Sequence, residues 1–462
     1  MRRLITPILC MLLAMTEAFA QTEVSGIYIG GHIRRERPGT ITKLRDSGFT
    51  YAILFNVHVD KDGTLMTDGE TICKDGVYVF QNTQPYYQKD VANLKAEGSS
   101  ISRIEICIGG WGNDSYDHIR DLINKEGTGS NTILYRNFKA LIEAVPEIDA
   151  VNNDDEHCYD ADAAAKFHIM MYNLGYKTTL APYTNKSFWT SLNTKIRASK
   201  PKAVDRVMIQ CYDGGAGNIN SVGSWSFTGV TNRHAGLLNY GNNWDMTKNE
   251  AQFQKWYDDG VAVGGFVWVY NDESWDLNTW ASMMNRVYKQ EVVPEKEVAW
   301  RLYSGKNYGG YCVSLPKGSY TMGQLARYGL TANDLESVEM VDDLTQMRIY
   351  TNTNCSGTGF KITASRKTLT TSYANKVQSV RIEDNPTAIT GIVEDGEIAL
   401  QLNGEQVFVD NAEGESAAIC DLAGKTVAQV RISSQSQAID LEQLPRGQYI
   451  VRVADKTLKV AK

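Results

Sequence analysis

The stretch Ile148-Asp149-Ala150-Val151-Asn152-Asn153-Asp154-Asp155-Glu156 begins as a strand and ends in acids. Ile148, Ala150 and Val151 suit a buried strand, expected over Glu147–Asn153. Side chains alternate faces along a strand, so Asn152, Asp154 and Glu156 share one side. Two carboxylates on one face at the C-terminal end of a strand suit acid–base work, since burial and a like-charged neighbour both raise a carboxyl pKa. Taken alone, the stretch also reads as a solvated acidic turn.

The same pattern repeats on either side. Strands are expected at Val24–Gly30, Tyr51–His58, Arg103–Ile108, Lys177–Pro182, Asp205–Tyr212 and Ala262–Val269, with an eighth, fainter pattern near Ala235–Tyr240. Helical spacing fills the gaps, as at Asn131–Ala144 and Asp160–Leu174. Strands alternating with helices imply βαβ units and a parallel sheet. About eight such units in roughly 270 residues fit an α/β (β/α)8 TIM barrel over residues 22–290, with its active site at the C-terminal strand ends. A doubly wound open sheet is the competing architecture. In the barrel, the face carrying Asn152, Asp154 and Glu156 is the lumen.

Length and charge narrow the function. A chain of 462 residues holds about three domains at roughly 150 residues each. Lys plus Arg number 47 against 54 acids, for a net charge of -7 without a long basic run; nucleic acid is excluded as a partner, because phosphate binding needs clustered cations. Arg2-Arg3, the apolar run Leu4–Met15 and Ala18-Phe19-Ala20 form a secretory signal peptide over residues 1–20. Elsewhere the longest apolar runs, such as Ala262–Tyr270, fall far short of the roughly 20 residues that span a bilayer. The protein is expected to be secreted or at the cell surface and not membrane-spanning. Of eight cysteines, Cys10 lies in the signal peptide, leaving an odd number. No C-x-x-C or H-E-x-x-H occurs, which argues against structural zinc. An exported protein can pair Cys312 with Cys355 in a disulfide.

Glu291–Val298 is a charged linker, after which the pattern turns to short strands with Gly, Asn and Ser between them. Ala332-Asn333-Asp334-Leu335-Glu336-Ser337-Val338 is echoed by Ala374-Asn375-Lys376-Val377-Gln378-Ser379-Val380. Two related all-β units read as paired Greek keys over residues 299–384. Asn385–Asp395 is a second linker. The remainder, residues 388–462, is expected to be a β-sandwich-like domain with a turn at Asp421-Leu422-Ala423-Gly424-Lys425.

The acidic stretch resembles the D-G-x-D-x-D-x-E signature of glycoside hydrolase family 18, which includes chitinases and endo-β-N-acetylglucosaminidases. Three other strands are similar in order: Cys107-Ile108-Gly109-Gly110-Trp111, with Cys where the family has Ser; Gln210-Cys211-Tyr212-Asp213, with Gln where many members have Met; and Gly264-Gly265-Phe266-Val267-Trp268. The chain departs at Ala150, in place of Gly, and at Asn152, in place of an Asp that shares the proton of the central Asp. The resemblance implies a retaining, substrate-assisted mechanism. Glu156 would be the acid and then the base, Asp154 would accept the substrate's acetamide N–H, and Tyr212 would hold its oxygen. Trp268 would floor the site, with Trp111, Gln210, Asp213 and Asn152 around the sugar. Trp256 and Trp280 read as core. The resemblance implies no metal or organic cofactor.

Residues 299–384 resemble a βγ-crystallin domain. Calcium-binding members use an N/D-N/D-x-x-S/T-S stretch, and Ala332 and Ala374 make both copies degenerate, so a spacer is preferred to a calcium site. The tail resembles the C-terminal sorting domain of type IX secretion, through Ile419–Lys425 and Leu444–Val451, which implies that machinery as a partner. The implied function is exported endo-acting hydrolysis of β-linked N-acetylglucosamine in the chitobiose core of N-glycans. Only 55 residues separate Tyr212 from Trp268, too few for the insertion that deepens many chitinase grooves. The alternatives are a chitinase acting on chito-oligosaccharides and a non-catalytic glycan-binding protein. A barrel ending near Glu291 is expected to fold alone.

Overall fold

Eight strands pair in parallel, each with its sequence neighbours, and the first pairs with the last to close a barrel. They are β1 (Ser25–Ile29), β2 (Tyr51–Val59), β3 (Arg103–Gly109), β4 (Ala150–Asp154), β5 (Lys177–Leu180), β6 (Val204–Gln210), β7 (Arg233–Leu238) and β8 (Gly264–Tyr270). This computed structural model describes residues 23–31, 33, 37–239, 245–270, 276–386, 398–403 and 405–462. The expected signal peptide 1–20, Tyr240 of the eighth expected strand and most of the linker Asn385–Asp395 lie outside the described residues.

Alternation along the strands builds two apolar layers. On β3, Ile104, Ile106 and Ile108 join the outer cluster that packs under the helices, while Cys107 joins a second cluster in the lumen with Tyr28, Tyr51, Met208 and Phe266. The lumen also holds charge. Glu105 is fully buried and bonded to Arg103 at 2.7 Å, to Thr179 at 2.9 Å and to Asn152 at 3.1 Å, with Arg206 at 3.5 Å. Burial pushes the Glu105 pKa up, but Arg103 and Arg206 outweigh it, so the carboxylate is held below its ordinary value.

Helix positions follow the sequence closely: Ile133–Ala144 and Ala161–Asn173 lie where they are expected. Asp160 caps the second by accepting from the amides of Asp162 and Ala163. Trp256 and Trp280 are buried in the outer layer. Asp60–Gly63 forms a tight turn, Gly63 N donating to Asp60 O at 2.8 Å, that leads into the antiparallel strand Leu65–Thr67.

The chain divides into two compact units, and the division is not at the first linker alone: residues 320–334 belong with the barrel. This segment carries the short helix Met322–Arg327, capped by Thr321 and Gln324. Asn285 Nδ2 donates to Ala326 O at 2.9 Å, Arg286 Nη1 to Gly329 O at 2.7 Å, and Ala332 N to Asn278 Oδ1 at 2.8 Å. A barrel ending at Glu291 therefore omits part of its own unit.

In the second unit, Trp300–Tyr303 sits between Cys312–Leu315 and Ser337–Met340, all antiparallel. A four-stranded sheet follows the order Gly318–Tyr320, Ser379–Asp384, Thr345–Tyr350, Phe360–Ile362. The repeat has a structural basis. Ser337 Oγ donates to Gly305 O at 2.6 Å and accepts from Tyr308 N at 3.0 Å; Ser379 Oγ donates to Asn352 O at 2.6 Å and accepts from Cys355 N at 2.8 Å. Each serine pins the loop between the first two strands of its motif. The expected Cys312–Cys355 disulfide is not formed. Cys312 lies on the three-stranded sheet, while Cys355 follows a strand of the other and its thiol donates to Val380 O at 3.4 Å. The tail has a three-stranded and a four-stranded sheet, and Val407, Val409, Ile419 and Val451 from both share one core. Asp421 closes the expected turn by accepting from Ala423 N and Lys425 N.

Candidate active site

A cavity of about 630 Å³ opens at the C-terminal strand ends of the barrel, within the roughly 300–1,000 Å³ of small-molecule sites. Asp154, Glu156, Gln210, Tyr212, Asp213, Trp268 and Trp111 all line it. Asn152 does not. It is fully buried beneath, accepting from the Tyr28 hydroxyl at 3.1 Å and donating to Glu105. Its expected place on the substrate is therefore corrected to support for the strand below.

The site is assembled by strand register. Asp154 ends β4 and pairs with Gly109 of β3. Gly109 lies at φ +107°, and a Cβ there would stand 2.1 Å from Asp154 O, so only glycine admits this approach. The amide of Gly110 donates to the same oxygen at 2.7 Å. Beyond the strand, Asp155 turns away from the cavity and accepts from the amides of His157, Cys158 and Tyr159 at 3.2, 2.9 and 2.9 Å. That cap holds the loop that presents Glu156.

Of the three cavity carboxyls, Asp154 and Glu156 are disposed to hold a proton. Burial and the neighbouring Glu156 push Asp154 well up, opposed by a bond from Gln210 Nε2 at 2.7 Å. Burial pushes Glu156 up to about 6, with Asp155 and Asp213 adding to the rise and a bond from Tyr183 opposing it. Burial, and then the neighbouring Asp154 and Glu156, push the Tyr212 pKa up, so it stays a phenol. Trp268 stacks near Tyr212 with centroids 6.5 Å apart and meets Phe55 edge-on at 4.7 Å. Trp111 is 91% exposed at the lip. Such a set can give and take one proton at a bond held over an aromatic floor.

Sequence reading missed Tyr183 and Phe55, which line the cavity, and Glu105 and Tyr28, which support it. Tyr183 follows β5 just after Pro182, and its position at a strand end was the available signal. Among the described residues, one group could ligate a metal: Asp114, Asp117 and His157. It lies outside the cavity wall, and Asp117 already accepts from His157 at 2.7 Å and Arg120 at 2.8 Å. No helix among the described residues is long and apolar enough to cross a membrane.

Residues 395–462 match the family described as "Secretion system C-terminal sorting domain". No curated protein matches the chain. Among solved structures, the chain is similar to a βγ-crystallin domain from Flavobacterium johnsoniae (27% identity, 19% of this chain and 98% of that one, TM-score 0.19). It is also similar to one from Clostridium beijerinckii (31%, 18% and 95%, TM-score 0.18) and to the N-terminal domain of protein S (28%, 19% and 99%, TM-score 0.18). The chain thus carries a type IX secretion C-terminal sorting domain, which indicates export and cell-surface attachment, together with βγ-crystallin-like neighbours and a closed eight-stranded parallel barrel.

Proposed function

We propose that the barrel is a TIM-type glycoside hydrolase of family 18 that cleaves β-linked N-acetylglucosamine within the N-glycan chitobiose core. The observation that carries the reading is the convergence of Asp154, Glu156, Tyr212 and Trp268 on one cavity. Glu156 protonates the departing glycosidic oxygen, and its pKa, raised to about 6, keeps it protonated in mildly acidic solution. The substrate's own acetamide oxygen attacks the anomeric carbon; Asp154 accepts the acetamide N–H and Tyr212 steadies the oxygen. Glu156, now a carboxylate, takes a proton from the incoming water, so configuration is retained.

The path from β6 to β8 supports an open cleft. Its described residues form short 3-10 turns, β7 and the helix Met246–Asp258, with no further sheet. An open cleft suits a branched glycan better than a buried linear chain. We assign the βγ-crystallin-like part to residues 299–384, a spacer apart from residues 320–334, which pack with the barrel, the sorting domain to the tail, and the signal peptide to residues 1–20. The test is mass spectrometry of products from an N-glycoprotein and, separately, chitotetraose. One N-acetylhexosamine left on the protein supports the reading. Cleavage of chitotetraose alone makes the barrel a chitinase, and binding without cleavage makes it a lectin.

A further inference from the structure

A second cavity, of about 320 Å³, opens where β2 and β3 end. It shares a loop with the first: Gly110 and Trp111 line the active-site cavity, and Gly112 and Asn113 line this one. Its polar groups can be assigned. His118 Nδ1 lies 2.7 Å from Val59 O. A carbonyl oxygen only accepts, so Nδ1 carries a proton and donates it. Asn113 Oδ1 accepts from Ser115 N at 2.8 Å, so its amide nitrogen is the group facing His58 Nδ1 and donates to it. The His58 proton is then on Nε2, and burial keeps that ring neutral.

Asp60 and Asp114 add two exposed carboxylates to this wall, and Met66 an apolar surface. The charge on this wall is negative, from two exposed carboxylates set beside the imidazole rings of His58 and His118. A ligand for such a site brings several hydroxyl donors, an apolar face and no negative charge. A neutral sugar ring meets all three conditions, and an acidic sugar is repelled.

We propose that this cavity is a second carbohydrate subsite that holds a neutral pyranose of the same glycan whose cleavage point lies over Glu156. The proposal rests on the glycosidase reading for that linkage, while the cavity's chemistry stands by itself. The test follows the imidazole signals of His58 and His118 by NMR in the full mature chain. The probes are methyl α-mannoside, methyl β-N-acetylglucosaminide and N-acetylneuraminic acid. Saturable shifts of these two rings with a neutral sugar, and none with the acidic one, are expected. The isosteric double variant Asp60→Asn/Asp114→Asn should weaken that binding about tenfold, the loss of a good hydrogen bond or two. It should also lower the preference for a branched glycopeptide over an aryl chitobioside about tenfold. Silence of both rings with every neutral sugar overturns the proposal, as does unaltered binding by a folded double variant. If the shifts persist in a wild type that cleaves no glycan, the subsite stands and the glycosidase reading falls.

Discussion

Gln210 Nε2 donates to Asp154 Oδ1 at 2.7 Å and to Ala181 O at 3.0 Å, so both amide protons are committed and the side chain is fixed against the acid. This bond is the one influence that lowers the Asp154 pKa against burial and the charges of Glu156 and Asp155.

Replacing that donor should move the active pH range. In Gln210→Met, Asp154 rises further and ionises only at higher pH, so the acid limb of kcat/KM shifts upward. The rate at pH 5 should fall about tenfold, the scale of one bond to a charged group. A profile that keeps its shape and position would remove Gln210 from this role.

Glu105 should matter for stability before activity. Removing it leaves Arg103 and Arg206 buried without their shared partner, and Glu105→Leu should cost about 3–5 kcal/mol in denaturant unfolding. The sign with pH is fixed by the lowered Glu105 pKa: its contribution is present above the ordinary carboxylate value and fades as pH falls through the depressed one. The deficit should therefore shrink in acid. A deficit that does not change with pH contradicts the ionic network.

Residues 320–334 should prove part of the barrel. A chain ending after Glu291 loses the partners of Asn278, Asn285 and Arg286 and uncovers Gly48, which packs against Ala326. Its Tm should lie on the order of 5 °C or more below that of a chain ending after Asp384. Equal Tm values would make the segment dispensable.

Cys73, Cys107, Cys158, Cys211, Cys312, Cys355 and Cys420 should all titrate as thiols when the protein is unfolded without reductant. A count lower by two would show a disulfide that the structure lacks.

The barrel was legible because its strands alternate with helices in one unbroken order, and the lumen face of β4 could be read off the period of two. Boundaries slipped where side chains change duty: β4 ends at Asp154 because Asp155 must turn to cap the next loop. Glu105 escaped notice because the run Arg103–Ile108 looks like a half-exposed strand, whereas in a closed barrel its polar face turns inward. Asn152 was seen, but its partners Tyr28 and Glu105 lie 124 and 47 residues away, and no local pattern links them. The docking of the 320–334 segment was hidden for the same reason, its helix being only six residues long.

The measurement that bears most directly on the account is the hydrolysis rate of an N-glycoprotein by wild type and Glu156→Gln across pH. Wild-type kcat/KM should fall as pH rises through about 6, where Glu156 loses the proton it donates. Glu156→Gln should lose about 10²–10⁴-fold below that pH, with the deficit narrowing above it. Its thermal stability relative to wild type should also be higher above pH 6 than at pH 4, since a raised carboxyl pKa weakens the wild-type native state as the group ionises. Equal rates for the two proteins would contradict the assignment of Glu156 as acid and base.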